Sequence, residues 1–373
     1  MSGTCHPFVA SGTHDAMLDA IPAPILDADR THHGILTEVA FSRHLNPVNA
    51  DAARVAFLRG APSPPFEYTP LREADALLRI LDAAEPPRDH PAGALVGACF
   101  DGTRRLVLAL RDRTAAAFDA LALASDWYPS TSLLALRFPD GRDPTPLDVP
   151  AARVIARLRE ALTERGLDTW RVEEDTVMSA RVLVDGAKRM LRVNPRARFR
   201  ERDVERLVVH EVDVHAMRAE NGMQQRLRCF QTGLPGSLAT EEGLAMVSEI
   251  HAGHGAPGVL ARQVDVVRAI DLGRRLGFRP LYEQLEDEVG PGLAWGICLR
   301  IKRGLSRPDL PGVYAKDSVY LQGHQLVQRW LSDGNPPSLL YVGKVSVNHP
   351  VREWLDQGWL RPGPLPPTWR PSA

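Results

Sequence analysis

The amino-acid sequence predicts an α+β fold that is mostly helical, and three observations carry that prediction. Apolar residues recur at helical spacing over 71–84 and again over 151–162. Proline clusters at 61–70, 84–91 and 140–150 punctuate this helical pattern, because proline lacks the amide that a helix interior needs. Two short runs, 179–185 and 188–193, flank Gly186 and read as a strand pair with a tight turn, which gives a small sheet.

Composition narrows the class. The 373 residues are 44% hydrophobic and 24% charged, a balance that supports a soluble chain with a real buried core. Lysine plus arginine number 45 against 46 for aspartate plus glutamate, so no global field draws the chain to nucleic acid or to an anionic membrane. No apolar run approaches the roughly 20 residues that span a bilayer. The first residues lack a basic start followed by an apolar stretch, and so do not read as a secretory signal. Cys5, Cys99, Cys229 and Cys298 are scattered without a paired spacing, which suits reduced thiols in the cytoplasm.

Along the chain, residues 1–30 read as a flexible tail and 31–170 as an N-terminal, mostly helical subdomain. The run 93–100 fits a strand or a buried helical turn, and the sequence does not separate the two. The texture changes near Asp175, and residues 171–360 read as a second subdomain, followed by a proline-rich tail over 361–373. Within it, Asn194 and Pro195 break the second strand. A long helix is predicted from about Glu201 to Ala219, with Val204, Leu207, Val208 and Val214 as its inward stripe and Asn221-Gly222 as its stop. Thr240 is the predicted N-cap of the next helix. Further helices are predicted over 259–276, ending at Gly277, and over 317–331, with Asp317 as N-cap.

The informative residues sit on the long helix: His210, Glu211 and His215, an HExxxH. In the HExxH of common zinc peptidases, histidines at i and i+4 lie about 40° apart around a helix. Spacing of i and i+5 separates them by about 140° on a regular helix, too wide for one metal. A widened, π-type turn restores a common face, so the sequence predicts one between His210 and His215. Catalytic zinc takes three protein ligands and leaves a position for water. The third ligand comes from elsewhere, and Glu242 is the leading candidate, in the first turn of the next predicted helix where the dipole favours a carboxylate. Glu241 is its neighbour, and spacing alone does not separate the two. Glu211 follows a ligand and has the chemistry of a general base. The competing reading is an amphipathic surface helix with two solvated histidines, and the apolar stripe argues against it.

At these residues the sequence resembles a known family. His210–His215, Asn221-Gly222 with Gln225, Gly233-Leu234-Pro235 and Glu241-Glu242-Gly243-Leu244-Ala245 follow the order of the QEGLA-motif proteins. Bacterial members are called flavohemoglobin expression-modulating QEGLA motif proteins; animal relatives include the microtubule-associated tyrosine carboxypeptidases, which remove the C-terminal tyrosine of α-tubulin. Asn46-Pro47-Val48-Asn49 and Pro65-Phe66-Glu67-Tyr68 resemble the family's N-terminal segments. Residues 300–304 and 316–323 resemble its C-terminal ones, so the resemblance covers about 37–350. It implies one zinc ion bound by His210, His215 and Glu242, with Glu211 catalytic, and a catalytic zinc-peptidase unit over 171–360. Glu241 stands where the family motif has glutamine, which bears on contacts around the metal or substrate rather than on the ligand itself.

A carboxypeptidase must hold a terminal carboxylate, and Arg300, Arg303 and Lys316 are the candidates, each with a plain surface ion pair as its competing role. Tyr320, or His324 one turn on, is the candidate donor to an oxyanion, against a packed aromatic with a satisfied hydroxyl. Either strand beside Gly186 is a candidate edge for an extended peptide. The arginines at 181, 189, 192, 196, 198 and 200 favour an acidic tail or form a solvated face offset by Glu201, Asp203 and Glu205. His251 and His254 read as loop residues.

The sequence thus predicts a cytoplasmic zinc metallopeptidase, a carboxypeptidase acting on the C-terminus of a peptide or protein, with an aromatic terminal residue as one option. It predicts neither nucleic acid nor membrane as partner. The alternatives are a zinc endopeptidase or aminopeptidase, a related amide hydrolase, and a zinc-binding regulatory protein without turnover.

Overall fold

Helices dominate the architecture, and two small sheets brace them. The computed structural model describes residues 21–370 apart from 140, 142–144, 177, 179 and 257. Strand β1 (Val149–Pro150) pairs antiparallel with β5 (Arg198–Phe199), and a three-stranded sheet has the order β2-β4-β3. In that sheet β4 (Met190–Val193) is central, with β2 (Arg171–Glu174) parallel on one side and β3 (Val182–Asp185) antiparallel on the other. The strand pair around Gly186 is therefore present; Ser179, at its predicted start, lies outside the described residues. Met190, Leu191 and Val193 of β4 are buried, as befits a strand flanked on both edges.

Several boundaries differ from those the sequence predicts. Residues 23–30, assigned to a tail, belong to a helix, Ala23–Glu38, whose Ile25, Ala28 and Ile35 are buried at helical spacing. Pro22 and Pro24 mask that start, although proline is tolerated in a first helical turn. The run 93–100 lies within a helix, Pro91–Asp112. The predicted helix over 259–276 ends at Gly273, and Phe278–Val289 and Pro291–Lys302 follow as further helices. Asp317 lies inside a 3-10 turn, Ala315–Ser318, rather than capping, and the helix Val319–Ser332 continues from it.

The long helix is continuous in three parts, Glu201–Leu207 (α), Val208–Ala216 (π) and Met217–Met223 (α). Asn221 and Gly222 do not stop it. Gly222 is small because a Cβ there would lie 2.1 Å from the carbonyl oxygen of Phe230, and Asn221 donates to the carbonyl of Tyr341 at 2.6 Å. The next helix, Ser237–His251, starts before Thr240, from Gly236 in the left-handed region (φ +77°). Thr240 is thus interior, and its hydroxyl accepts from the amide of Val347 at 3.1 Å. Glu242 consequently sits in the second turn, where the helix dipole acts more weakly than in the first.

Helices Ser237–His251 and Val319–Ser332 cross closely. A Cβ on Gly243 would meet the Gly323 carbonyl at 2.1 Å, and one on Gly323 would meet the Ala239 oxygen at 1.8 Å. Only glycine at both positions lets the backbones touch, and this brings Glu242 beside Tyr320. One hydrophobic cluster takes side chains from both sides of residue 170, including Phe100, Leu158, Leu191, Val212 and Val345, so the two halves share a core. Elsewhere the ammonium of Lys302, fully buried, donates to the carbonyls of Gly273, Leu276, Leu310 and Gly312 at 2.5–3.1 Å. Burial lowers its pKa to about 8, so it stays charged at neutral pH. Cys99, Cys229 and Cys298 are buried free thiols. Among the described residues no helix is long and apolar enough to cross a membrane.

Replacing Gly243 by Ala forces the crossing apart and is expected to cost about 3 kcal/mol. Gly34→Ala, in a helix with nothing within 4 Å of the new methyl, is expected to be neutral or stabilising by up to about 1 kcal/mol. Urea-unfolding midpoints of the two variants check the contrast.

Candidate metal centre

The π segment does what the i, i+5 spacing requires. It brings His210 and His215 onto one face, with ring centroids 4.8 Å apart and planes at 78°. Ligand-capable atoms of His210, Glu211 and His215 all lie within 4.8 Å of one another. Glu242 reaches the same point from the neighbouring helix: its Oε2 is 3.8 Å from His210 Nε2 and 3.7 Å from His215 Nε2. In a tetrahedral zinc site, ligand atoms about 2.0–2.1 Å from the metal stand roughly 3.3 Å from each other. The observed separations are slightly wider than that. Glu211 belongs to the tight group as well, yet Glu242 is the better third ligand, because its Oε2 is buried without any hydrogen-bond partner. A buried carboxylate oxygen left unpaired is costly, and a cation between the three groups relieves it. The residues therefore fit a single zinc ion held by His210, His215 and Glu242.

Each imidazole turns its other nitrogen to a carboxylate. His210 Nδ1 is 2.6 Å from Glu249 Oε1, and His215 Nδ1 is 2.8 Å from Glu241 Oε1. Such partners fix the ring orientation and the tautomer that leaves Nε2 facing the metal position. The carboxylates are held in turn. Arg206 reaches Glu249 at 2.8 Å. Glu241 receives Lys344 at 3.2 Å and a direct contact from the fully buried Arg218, whose other donors bond the carbonyls of Leu340 and Val345. Burial works against ionisation of Glu241, but Arg218, Lys344 and His215 outweigh it and hold its pKa far below the usual carboxylate range. Burial likewise disfavours charge on His210, yet Glu211, Glu249 and Glu242 raise its pKa to about 9. The pocket thus draws positive charge to the point where the two Nε2 atoms meet. Asp213, also inside the motif, points away and pairs with Arg165 at 2.7 Å.

The sequence alone compares closely with known proteins. A profile of the family described as microtubule-associated tyrosine carboxypeptidase matches residues 117–372, more than two thirds of the chain. The chain belongs to that family. Microtubule-associated tyrosine carboxypeptidase 1 of Homo sapiens is 31% identical over 183 residues, covering 47% of this chain and 38% of the human protein. The Rattus norvegicus protein of the same name is 29% identical over 180 residues, again 47% of this chain and 38% of the relative. The chain therefore aligns with well under half the length of the relatives it matches.

The segments quoted for the family resemblance meet in space. The backbone amide of Gly304 donates to the Tyr68 hydroxyl at 3.0 Å, and Arg303 reaches Asn46 Oδ1 at 3.5 Å. Of the residues expected to bind substrate, Arg300 and Arg303 are both turned to Asp317, at 2.5 and 3.5 Å. That ion pair is the competing role considered for them, though Arg300 stays half exposed. Lys316 is half-buried beside the same carboxylate. Tyr320 stands at the centre: Glu242, burial and Asp317 push its hydroxyl well above the ordinary phenol range, which keeps it a proton donor. His324 is buried with its pKa lowered by burial, next to Gln325 at 3.3 Å. His251 stacks on Trp369 at 4.4 Å rather than facing the centre.

Sequence reasoning did not find Glu249, Arg206, Arg218 or Lys344. Glu249 carried a usable signal, since it lies two helical turns beyond Glu242 and shares its face. Arg218 and Lys344 carried none, because their pairing with Glu241 spans 23 residues in one case and 103 in the other.

Arg218→Met leaves Glu241 buried without its arginine partner and is expected to cost about 3–5 kcal/mol, read from denaturant unfolding. Burial opposes the charge of Asp317, but Arg303 and Arg300 hold its pKa below the ordinary value. Its contribution to stability is therefore complete above about pH 3.9, the unfolded value, and falls away as pH drops through the lower folded value. Asp317→Asn is expected to flatten this acid limb in a pH series of melting temperatures.

Proposed function

We propose that the chain is a zinc-dependent carboxypeptidase that removes a residue from the C-terminus of a peptide or protein. The observation that carries this reading is the unpartnered Glu242 Oε2, nearly equidistant from two imidazole nitrogens whose far sides are each fixed by a carboxylate. Bound zinc supplies Lewis acidity and makes a water a stronger acid at neutral pH. Glu211, beside the ligands and buried, is the base that takes a proton at its carboxylate and returns it to the leaving amine. Tyr320, kept protonated, donates a hydrogen bond to the oxygen that gains charge as the carbonyl carbon is attacked. Arg300, half exposed beside Tyr320, is available to orient the substrate, while Arg303 and Lys316 set the position of Asp317 behind it.

The exopeptidase part of the reading comes from the relatives, whose printed names are tyrosine carboxypeptidases. A peptide ending in tyrosine is the first substrate to test. The buried free thiols support a cytoplasmic setting.

Mass spectrometry of a mixed peptide library tests the reading, with Glu211→Gln as control. Wild-type protein is expected to release one C-terminal residue, and the variant to be slower by about 10²–10⁴-fold. Internal cuts or N-terminal trimming would replace the carboxypeptidase reading by another peptidase on the same residues. A chelator is expected to abolish cleavage, with zinc restoring it, and His215→Ala to prevent the restoration.

A further inference from the structure

An enzyme that removes one residue from a chain end must hold the terminal carboxylate close to the groups that attack the last peptide bond. One residue spans at most about 3.3–3.6 Å of extended chain. Arg300 meets that requirement. It sits beside Tyr320, and Tyr320 sits beside Glu242 and Glu211. The glycine crossing produces this corner: Glu242 immediately precedes Gly243, and Tyr320 comes three residues before Gly323.

The charges at the corner do not balance. Arg300 and Arg303 meet Asp317 at 2.5 and 3.5 Å, and Lys316 acts on the same carboxylate. Among the described residues no second carboxylate lies within ion-pair distance of these three cations. Arg303 is loosely held as well. Its Nη atoms reach Asn46 Oδ1 and Asp317 Oδ1 at 3.5 Å, and its Nε is buried without a partner. Arg300 gives Asp317 a hydrogen bond from Nε, and half of its side chain stays exposed. A guanidinium carries five N–H donors in a fork that matches a carboxylate, so its outer nitrogens can take a second anion.

We propose that Arg300 holds the terminal carboxylate of the substrate on its outer nitrogens, while Asp317 fixes the guanidinium from behind through Nε. The proposal rests on the peptidase reading and adds to it the residue that recognises a free chain end. Arg303 holds the other oxygen of Asp317, which keeps that carboxylate turned away from the incoming one. With its end on Arg300, the substrate has its last peptide bond one residue away, within reach of Tyr320 and Glu211. An internal stretch of peptide brings no carboxylate to this corner, so the surplus positive charge selects chain ends.

The test uses Glu211→Gln protein, to prevent turnover, and a fluorescent peptide ending in tyrosine as the free acid or as the C-terminal amide. The free acid is expected to bind at least about tenfold more tightly than the amide. Adding Arg300→Met should remove most of that preference, and Arg300→Lys should restore part of it, since lysine keeps the charge without the fork. Asp317→Asn alone keeps Arg300 and is expected to keep the preference. If Arg300→Met lowers the melting temperature, the double variant Arg300→Met/Asp317→Asn removes the carboxylate left without Arg300 and should lose the preference in the same way. Equal affinity for acid and amide, or a preference that survives Arg300→Met in either background, would overturn the proposal. Cleavage by the wild type is scored separately. Release of a C-terminal residue without an Arg300-dependent preference rejects the anchor alone, and the preference without cleavage rejects the carboxypeptidase reading alone.

Discussion

Four buried carboxylates, Glu211, Glu241, Glu242 and Glu249, surround two imidazoles, and the rest of the structure is organised around making that arrangement tolerable. Ionised groups enter a protein interior only when paired. Arg206 and Arg218 from the long helix and Lys344 from the C-terminal part of the chain bring cations to Glu249 and Glu241. Among the described residues, Glu242 and Glu211 meet no arginine or lysine; they face the two imidazoles, where the proposed zinc would sit.

Backbone geometry supports this balance at two places. The π segment brings His215 back into line with His210, while Asp213 of the same segment pairs with Arg165. The glycine crossing brings a second helix close enough for a short glutamate side chain to reach both rings. Neither device is chemical, yet without either the ligand atoms would not share a centre. The proline-rich end contributes as well: Trp369 stacks on His251 and donates to Ser248 at 2.9 Å, holding the far end of the glutamate-bearing helix.

What was legible in the sequence was local. The HExxxH spacing demanded a widened turn because helix geometry leaves no other way to bring the two rings together, and the strand pair showed itself through a glycine between two β-favouring runs. Boundaries failed where one residue type has two uses. Asn221-Gly222 looked like a helix stop, but the glycine is there for a close approach to Phe230 and the asparagine for a bond to Tyr341. Thr240 looked like a cap and is an interior acceptor for Val347. β2 and the central place of β4 depend on pairings between distant segments, as do Arg218 and Lys344 on Glu241, and periodicity carries no signal for these. Arg300 and Arg303 were read as candidates to hold a terminal carboxylate, and only the fold reveals that Asp317 meets both.

Lys302 shows how the same chain handles the opposite problem, an excess of acceptors. Four carbonyl oxygens from separate turns converge on its ammonium, with no carboxylate among them. The side chain acts as a tethered ion, knotting the helix ending at Gly273 to the loop before Tyr314 in the way a bound potassium or an internal water would. Being covalently attached, it cannot be dialysed away or outcompeted by salt. That corner of the fold therefore carries its own cation, whatever the ionic medium.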